Sequence, residues 1–398
     1  MLILGIETSC DETSAAVVED GRRVISNVVS SQEKIHSKYF GVVPELASRE
    51  HLLNINGVLE KAVEPVAKHG ISSDGHCEAE PKQSHRPLCH CEAEPKQSSS
   101  TGMKFAKLDI SSALSRAMKR ISAIAWTSGP GLAGSLIVGQ TVALTLSYVT
   151  GKPLVPVNHL EGHIFSVVLD NPEISPPFLS LIVSGGHTDL VFVERFGRYR
   201  TLGRTRDDAA GEAFDKVARI LGLKYPGGPQ VQKFAAGVDP GKIRFPRPFM
   251  EETDDFSFSG LKTAVVYYVR DLLDGKIGGK ARRRAQRRHL SMCEIKDICA
   301  GFQEAVVETL LYKTMRAAKR LGVHRVAVCG GVSANSRLRD LFKKRTSPGT
   351  KVFFPSPVNC TDNAAMIASA GYFLRMSAGR AKTKEFGIDP GLEIKNWY

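Results

Sequence analysis

The stretch that decides the fold is residues 2–30, LILGIETSCDETSAAVVEDGRRVISNVVS, which predicts three consecutive β-strands. The segments Leu2–Glu7, Thr13–Glu19 and Arg22–Ser30 are rich in the aliphatic and β-branched residues that favour strands. Asp20-Gly21 separates the last two segments, and Asp-Gly is typical of a two-residue hairpin turn. The chain is therefore predicted to begin with one strand followed by an antiparallel hairpin.

Residues 178–205, FLSLIVSGGHTDLVFVERFGRYRTLGRT, repeat this pattern, with strands predicted at Phe178–Ser184, Thr188–Glu194 and Tyr199–Thr205. Helices and strands alternate after each group of three strands. This order predicts an α/β protein with two related domains, residues 1–150 and 151–398, and a cleft between them. The later elements predicted are a helix from Pro44, strand Ile121–Thr127, helix Gly134–Val149, strand Leu154–Val157, helices Gly211–Leu221 and Glu294–Leu321, strand Arg325–Cys329, helix Ala334–Arg345, strand Lys351–Phe354 and helix Asp362–Ser377.

The composition is typical of a globular protein, and its positive net charge favours a polyanionic partner. At 398 residues, 42% of them hydrophobic, the chain is long and apolar enough for two domains. Its formal net charge of +13 favours a polyanionic partner without identifying it. The densest basic cluster, Lys280–Arg288, lies in a predicted insertion at about residues 276–292, and both a solvated loop and a nucleic-acid contact remain open for it. The eight cysteines show no disulfide framework, which indicates a reduced, cytoplasmic protein.

Neither the N-terminal residues nor the longest apolar stretch of the sequence indicates a membrane protein. Met1–Leu4 lacks the basic residues of a secretory signal, and Glu7 follows too soon for an apolar signal core. The longest apolar stretch, Gly134–Val149, contains several polar residues and predicts a buried helix, so we expect no membrane association.

A nine-residue repeat, His76–Ser84 and again His90–Ser98, predicts a polar surface insertion at about residues 72–104. Its histidines and cysteines leave a zinc site open, although their spacing matches no standard zinc finger.

Two histidines one helical turn apart, His159 and His163, are candidate metal ligands because residues i and i+4 of a helix share a face. Two unrelated histidines near a helix start are the alternative. In zinc peptidases of the H-E-x-x-H type a glutamate follows the first histidine directly and acts as the base. Here Leu160 occupies that position, and Glu161, two residues after His159, is rotated by about 200° away from the histidine face.

Other motifs suggest what a metal there would act on. Ser184-Gly185-Gly186 is either an ordinary hairpin turn or a loop whose backbone N–H groups can approach phosphate oxygens. A lone acidic residue, Asp362, lies far downstream in Thr361-Asp-Asn363. A metal beside such a loop suggests chemistry on a phosphate or acyl-phosphate substrate.

Taken together, nine motifs in a fixed order resemble the TsaD family, the tRNA N6-adenosine threonylcarbamoyltransferases once described as O-sialoglycoprotein endopeptidases. The resemblance covers nearly the whole chain except the repeat insertion and the arginine-rich stretch. It implies two duplicated α/β domains of the actin/hexokinase/Hsp70 type (ASKHA, RNase H-like) with an interdomain cleft. The motifs are Gly5–Thr13, Gly41–Arg49, Gly129–Leu132, Asn158–His163, Val183–Thr188, Asp207–Lys216, Phe256–Lys262, Gly330–Asn335 and Thr361–Asn363.

The resemblance also implies an activity: transfer of threonylcarbamoyl from threonylcarbamoyl-AMP to N6 of the adenosine 3′ of the anticodon in ANN-decoding tRNAs. It implies one divalent metal, with Fe(II) favoured and Zn(II) as the alternative, held by His159, His163 and Asp362. It implies cytoplasmic partners TsaB and TsaE. The residues implied to hold the nucleotide and acyl-phosphate are Ile182, Val183, Ser184, Gly185, Gly186, Asp215, Gly228 and Asn335.

Several of these roles have structural alternatives. Asp11 and Glu12 are candidates for the base that takes the amine proton, or they simply stabilise a turn. Asn335 bonds the nucleotide or caps a helix, and Lys262 neutralises a phosphate or lies on the surface. Three other functions are weighed: an ATPase or small-molecule kinase of the same superfamily, a metallopeptidase, and a non-catalytic nucleotide-binding scaffold.

Overall fold

The computed structural model describes residues 1–68, 112–250, 252–277, 289–377 and 387–397. The repeat insertion and the Lys280–Arg288 cluster lie outside these residues. The described chain forms two five-stranded sheets. Helices follow the strands of each sheet in the sequence and pack against the sheet. This confirms the predicted α/β fold class.

The first sheet has a central strand with both faces covered. Its order is β3-β2-β1-β4-β5, with antiparallel pairing of β1 to β2 and of β2 to β3, and parallel pairing of β1 to β4 and of β4 to β5. Asp20 and Gly21 both have positive φ, of 49° and 66°, as the predicted hairpin turn requires. The strands are β1 (Leu2–Glu7), β2 (Glu12–Glu19), β3 (Arg23–Ser31), β4 (Ile121–Gly129) and β5 (Leu154–Asn158).

The second sheet repeats the topology of the first. Its order is β10-β9-β6-β7-β8, so three antiparallel strands again lie beside two parallel ones. The shared order shows a duplicated architecture, as the two strand triplets predict. The strands are β6 (Phe178–Val183), β7 (Thr188–Arg195), β8 (Arg198–Arg204), β9 (Arg325–Cys329) and β10 (Lys351–Phe353).

The predicted helices lie within a few residues of the observed ones. The helix predicted over Ala334–Arg345 begins two residues later, at Ser336, because the Asn335 side chain accepts a bond from Leu338 N and caps it there. The helices are α1 (Glu33–His36), α2 (Pro44–Lys68), α3 (Ser112–Arg120), α4 (Ala133–Thr150), α5 (His159–Asp170), α6 (Ala210–Ile220), α7 (Gly227–Ala235), α8 (Ser259–Leu273), α9 (Met292–Leu321), α10 (Ser336–Arg345) and α11 (Ala364–Met376).

Helices α5 and α11 pack against each other between the two sheets. The core there joins Ile3 and Val157 of the first sheet, Ile164 of α5, Ile367 of α11 and Ile182 of the second sheet. Strand β5, which follows residue 150, belongs to the first sheet, and α11 packs on β1. The division of the chain into domains at residues 150/151 therefore stays a prediction. Two elements that follow residue 150, β5 and α11, belong to or pack against the first sheet.

The helix predicted as buried, α4, is buried on one face only. Its residues Leu136, Ala143 and Leu146 are buried, whereas Ile137 and Tyr148 are 50% and 92% exposed. Among the described residues it is the one helix long and apolar enough to cross a membrane by length and composition, and about a third of it is buried. The expectation of a buried helix therefore holds for the face of α4 that packs on β4 and α2, while the opposite face is exposed among the described residues.

Candidate functional site

The two predicted histidines and the distant aspartate meet at the N-terminal end of helix α5. Asp362 Oδ1 lies 3.5 Å from His159 Nε2 and 3.3 Å from His163 Nε2, and the two imidazole centroids are 4.7 Å apart. One ligand atom from each residue lies within 4.8 Å of the others. The i, i+4 spacing and the lone acid therefore converge as predicted.

Helix ends position these side chains. Asn158 caps α5 by accepting bonds from Leu160 N and Glu161 N, so His159 is the first residue of the helix. Asn363 caps α11 in the same way through Met366 N, and Asp362 directly precedes that cap. Two helix N-termini thus point toward one place, and their partial positive charge favours anions there.

A buried glutamate orients the first histidine. Glu7, at the end of β1, is fully buried, and its Oε2 lies 3.1 Å from His159 Nδ1. The same carboxylate accepts bonds from Thr127 Oγ1 at 2.7 Å and Ser9 N at 2.5 Å. With Nδ1–H donated to Glu7, loss of the second proton from His159 would leave the Nε2 lone pair directed toward the metal position.

The charges at this centre are strongly coupled. Burial opposes a charged His159, but Asp362 and Glu7 outweigh it and raise the pKa of His159 to about 9. Burial likewise opposes a charged Asp362, and His159 and His163 lower its pKa nevertheless. The metal-free centre therefore holds a protonated imidazole between two carboxylates, a charge pattern that a bound cation would replace.

The donor set fits a divalent metal. Within the described chain, both ring nitrogens of the fully buried His163 lack a hydrogen-bond partner of good geometry, and a buried polar group without a partner is costly. Two imidazoles and one carboxylate suit Fe(II) or Zn(II) and leave coordination positions open. A bound metal would give His163 Nε2 a ligand bond in place of its long 3.3 Å approach to Asp362 Oδ1.

Glu161 does not belong to this centre. Its Oε1 accepts a 2.6 Å hydrogen bond from Trp397 Nε1, and both side chains are buried. The predicted rotation away from the histidine face is thus observed. A carboxylate held there cannot activate water at the His pair, which argues against a metallopeptidase.

The glycine loop after β6 is an open turn. Ser184 N donates to His187 O and Ser184 Oγ accepts from His187 N. A Cβ added at Gly185 or Gly186 would meet no atom within 4 Å, so the space above the loop is free. Ile182 and Val183, by contrast, are fully buried in β6, so only their backbone can face a ligand.

Three of the implied nucleotide residues, Asp215, Gly228 and Asn335, lie at or beside the starts of helices α7 and α10. Asp215 accepts a 2.6 Å bond from Gly227 N, beside Gly228, and burial raises the pKa of Asp215 to about 6. Asn335 caps α10 and its Nδ2 donates to Gln303 Oε1 at 2.8 Å, so its amide is already engaged. A cavity of about 330 Å³ lies beside it, lined among others by Gln232, Gln303, Glu304, Ser336, Arg337 and Asp340.

The candidate bases lie between the metal centre and the nucleotide residues. Glu12 is half-buried, and burial together with Asp11 and Asp362 raises its pKa well above the ordinary value. A carboxyl group with a raised pKa suits proton transfer near neutral pH. Lys262 is paired with Asp208 at 2.7 Å, so its charge is committed to an ion pair.

Three residues were missed by the sequence reasoning. Glu7 has a recognisable sequence signal, because an acidic residue ends an otherwise apolar strand. His187 lies 6.5 Å from His159 between ring centroids, and burial and then His159 lower its pKa to about 4, so it is neutral. Burial, followed by the negative charges of Asp11 and Asp215, raises the pKa of the Tyr225 phenol.

Known proteins are similar in sequence to this chain along nearly its whole length. The sequence profile described as TsaD, tRNA N6-adenosine threonylcarbamoyltransferase, matches residues 23–70 and 109–369. A tRNA N6-adenosine threonylcarbamoyltransferase of Endomicrobium trichonymphae is 45% identical over 100% of this chain and 99% of its own. The protein of that name from Caldicellulosiruptor saccharolyticus is 44% identical over 94% of this chain and 93% of its own. Component A of (R)-2-hydroxyglutaryl-CoA dehydratase from Acidaminococcus fermentans aligns with 96% of this chain and 100% of its own at 13% identity, with a TM-score of 0.48. By profile and relatives alike, the chain belongs to the TsaD family of tRNA N6-adenosine threonylcarbamoyltransferases.

Proposed function

We propose that this chain transfers threonylcarbamoyl from threonylcarbamoyl-AMP to N6 of the adenosine 3′ of the anticodon in ANN-decoding tRNAs, with AMP as the leaving group. The observation that carries the proposal is the His159/His163/Asp362 centre, with ligand atoms within 4.8 Å, in a chain of this family. Fe(II) is the metal we favour for it, and Zn(II) is the alternative.

The reaction needs orientation more than a covalent enzyme intermediate. The donor is a mixed anhydride, so the bond between the carbamoyl carbon and the phosphate oxygen breaks readily and AMP departs with the electron pair. The acceptor N6 is a weak nucleophile because its lone pair is delocalised into the purine ring. Holding the two together and stabilising charge are therefore the main tasks. The metal, when bound, supplies a Lewis acid for phosphate or carbonyl oxygens.

The nucleotide half of the donor is assigned to the second sheet and its helices. Asp215 is suited to accept bonds from ribose hydroxyls, and the open loop at Ser184–Gly186 leaves room for phosphate oxygens. Ile182 and Val183 would contribute backbone groups at the edge of that loop. Asn335 is bonded to Gln303, which lines the 330 Å³ cavity, and Gly228 lies in the first turn of α7. Because Asn335 also caps α10, its bond to Gln303 is the one a nucleotide would replace.

Proton removal is assigned to the turn after β1. As N6 attacks, it must lose one proton, and we assign Glu12 as its acceptor because burial and the neighbouring carboxylates raise the pKa of Glu12, which makes its carboxylate a stronger base than an ordinary one. Asp11 shares the turn and raises the pKa of Glu12 by its negative charge. We assign Glu12 as base and Asp11 as the group that tunes it.

The proposed setting is the cytoplasm, with tRNA bound by positive charge and with TsaB and TsaE as partner proteins. A net charge of +13 favours docking of a tRNA backbone. The adenosine has to leave the stacked anticodon loop to reach the cleft between the sheets.

The test is nucleoside analysis by mass spectrometry of tRNA incubated with the protein and threonylcarbamoyl-AMP, with and without TsaB and TsaE. The proposal predicts threonylcarbamoyladenosine only in ANN-decoding tRNA, with a UNN-decoding tRNA as the matched negative. Unmodified tRNA in all reactions, together with steady ATP hydrolysis, would favour an ATPase of the same superfamily instead.

A further inference from the structure

The last described segment of the chain, Asp389–Trp397, crosses from the first sheet to the second; we name it the C-terminal strap. At its start, Asp389 N donates to Ser128 O at 2.9 Å, at the end of β4. At its end, Trp397 N donates to Gly197 O at 2.9 Å, in the turn between β7 and β8. The strap therefore ties together both sheets that frame the metal centre.

The middle of the strap is bonded to the residue that starts the metal helix. Asn158 Nδ2 donates to Leu392 O at 3.2 Å and to Glu393 O at 3.1 Å. The Oδ1 of the same amide caps α5 through Leu160 N. One side chain thus links the strap to the helix immediately before His159, the first candidate ligand.

The end of the strap holds the same helix from behind. Trp397 Nε1 donates to Glu161 Oε1 at 2.6 Å, and the indole lies parallel to Phe165 with centroids 6.4 Å apart. Glu161 lies between His159 and His163 in sequence and on the opposite face of α5. Rotation of α5 about its axis would move both imidazoles, and this buried hydrogen bond opposes such rotation.

We propose that the C-terminal strap is a positioning element of the metal centre, acting through the Trp397–Glu161 and Asn158 contacts that fix the orientation of α5. The inference rests on the metal site of the proposed function. Metal ligands must be held to about 0.5 Å for full affinity, so a helix free to rotate would bind metal more weakly.

The direct test replaces Trp397 by phenylalanine in the full chain, which keeps an aromatic ring and removes the N–H donor. Zn(II) affinity of the metal-free protein is measured by competition with a chromogenic chelator, and unfolding is followed in urea without metal. Trp397→Phe is expected to weaken Zn(II) binding about 10- to 100-fold, as for other groups that support metal ligands. Glu161→Gln, which keeps an acceptor oxygen for Trp397, should stay within about threefold of wild type.

A second variant disturbs the strap without touching α5. A Cβ at Gly197 would meet the Trp397 ring at 2.2 Å, so Gly197→Ala should displace the indole and weaken Zn(II) binding as well. Gly222→Ala is the matched control, because Gly222 has a similar φ of 71° against 81° and a Cβ there meets nothing within 4 Å. Arg204→Gln removes an exposed ion pair to Glu393 of the strap and should leave affinity unchanged.

The outcomes separate this inference from the proposed function. Wild-type Zn(II) affinity in both Trp397→Phe and Gly197→Ala, with earlier unfolding only, would show that the strap merely stabilises the fold and would overturn the inference. If Trp397→Phe does not fold, Gly197→Ala measured against Gly222→Ala decides. Absence of Zn(II) binding by the wild-type protein would overturn both the inference and the proposed metal site.

Discussion

Replacing Glu7 by glutamine should weaken metal binding without removing any ligand. The carboxylate is fully buried and has three partners: His159 Nδ1, Thr127 Oγ1 and Ser9 N. Glutamine keeps one acceptor oxygen and loses the charge, so one donor loses its partner and the imidazole becomes less basic. Loss of such a group costs about 10- to 100-fold in metal affinity, or about 1.4–2.7 kcal/mol.

The assay is a Zn(II) titration against a competing chelator, with unfolding of the metal-free protein measured in urea. Thr127→Val is the matched control, because it removes one neutral hydrogen bond to Glu7 and leaves the carboxylate beside His159. It should cost about 1 kcal/mol of stability and change Zn(II) affinity by less than about threefold. Wild-type affinity in Glu7→Gln would refute the view that Glu7 supports the ligand.

The nucleotide site and the fold carry three further predictions. Burial raises the pKa of Asp215 to about 6, so the affinity for adenosine measured by calorimetry should fall as the pH drops below 6. Adenosine is the ligand because the phosphate of AMP itself titrates at about pH 6. Asp215→Asn should bind adenosine weakly at every pH with no such step. Gly330→Ala should lower the free energy of unfolding in urea by about 1–3 kcal/mol, because φ is 89° and a Cβ there would clash with Val183 O. Gly331→Ala is the control and should be near neutral, because a Cβ at Gly331 meets nothing within 4 Å. Equal losses of stability in the two variants would contradict this explanation. Asp254→Asn should cost about 1–3 kcal/mol at neutral pH, since the buried carboxylate pairs with two arginines of α9. Burial alone would raise the pKa of Asp254, yet its bonds to those arginines lower it, so this contribution is present above the unfolded pKa near 4 and should vanish as the pH falls through the lower folded value.

Local patterns predicted most of the secondary structure. The Asp20-Gly21 turn, the buried strands and the i, i+4 histidines depend on neighbours in sequence, and each appears where it was predicted. Asp362 could be linked to the histidines only through the family resemblance, since about two hundred residues separate them. Side-chain capping at Asn335 has a local sequence signal, and it is one of the two roles that the sequence left open for this residue.

Contacts between distant segments were not predictable in this way. Nothing near Glu161 indicates that its partner is Trp397, 236 residues away, and nothing near His159 identifies Glu7, 152 residues earlier. Which sheet β5 joins is decided by pairing with β4 rather than by its own sequence. Such contacts depend on the packing of whole layers, so periodicity and propensity carry no signal for them.

The most direct measurement is transfer of label from threonylcarbamoyl-AMP to an unmodified ANN-decoding tRNA by wild type, His159→Ala and His163→Ala. Wild type, supplied with its partner proteins and Fe(II) or Zn(II), should label the tRNA, and each variant should fall to background while still folding as judged by urea unfolding. Full transfer by both variants would remove the metal centre from the reaction. Absence of transfer by wild type under every condition would contradict the proposed function itself.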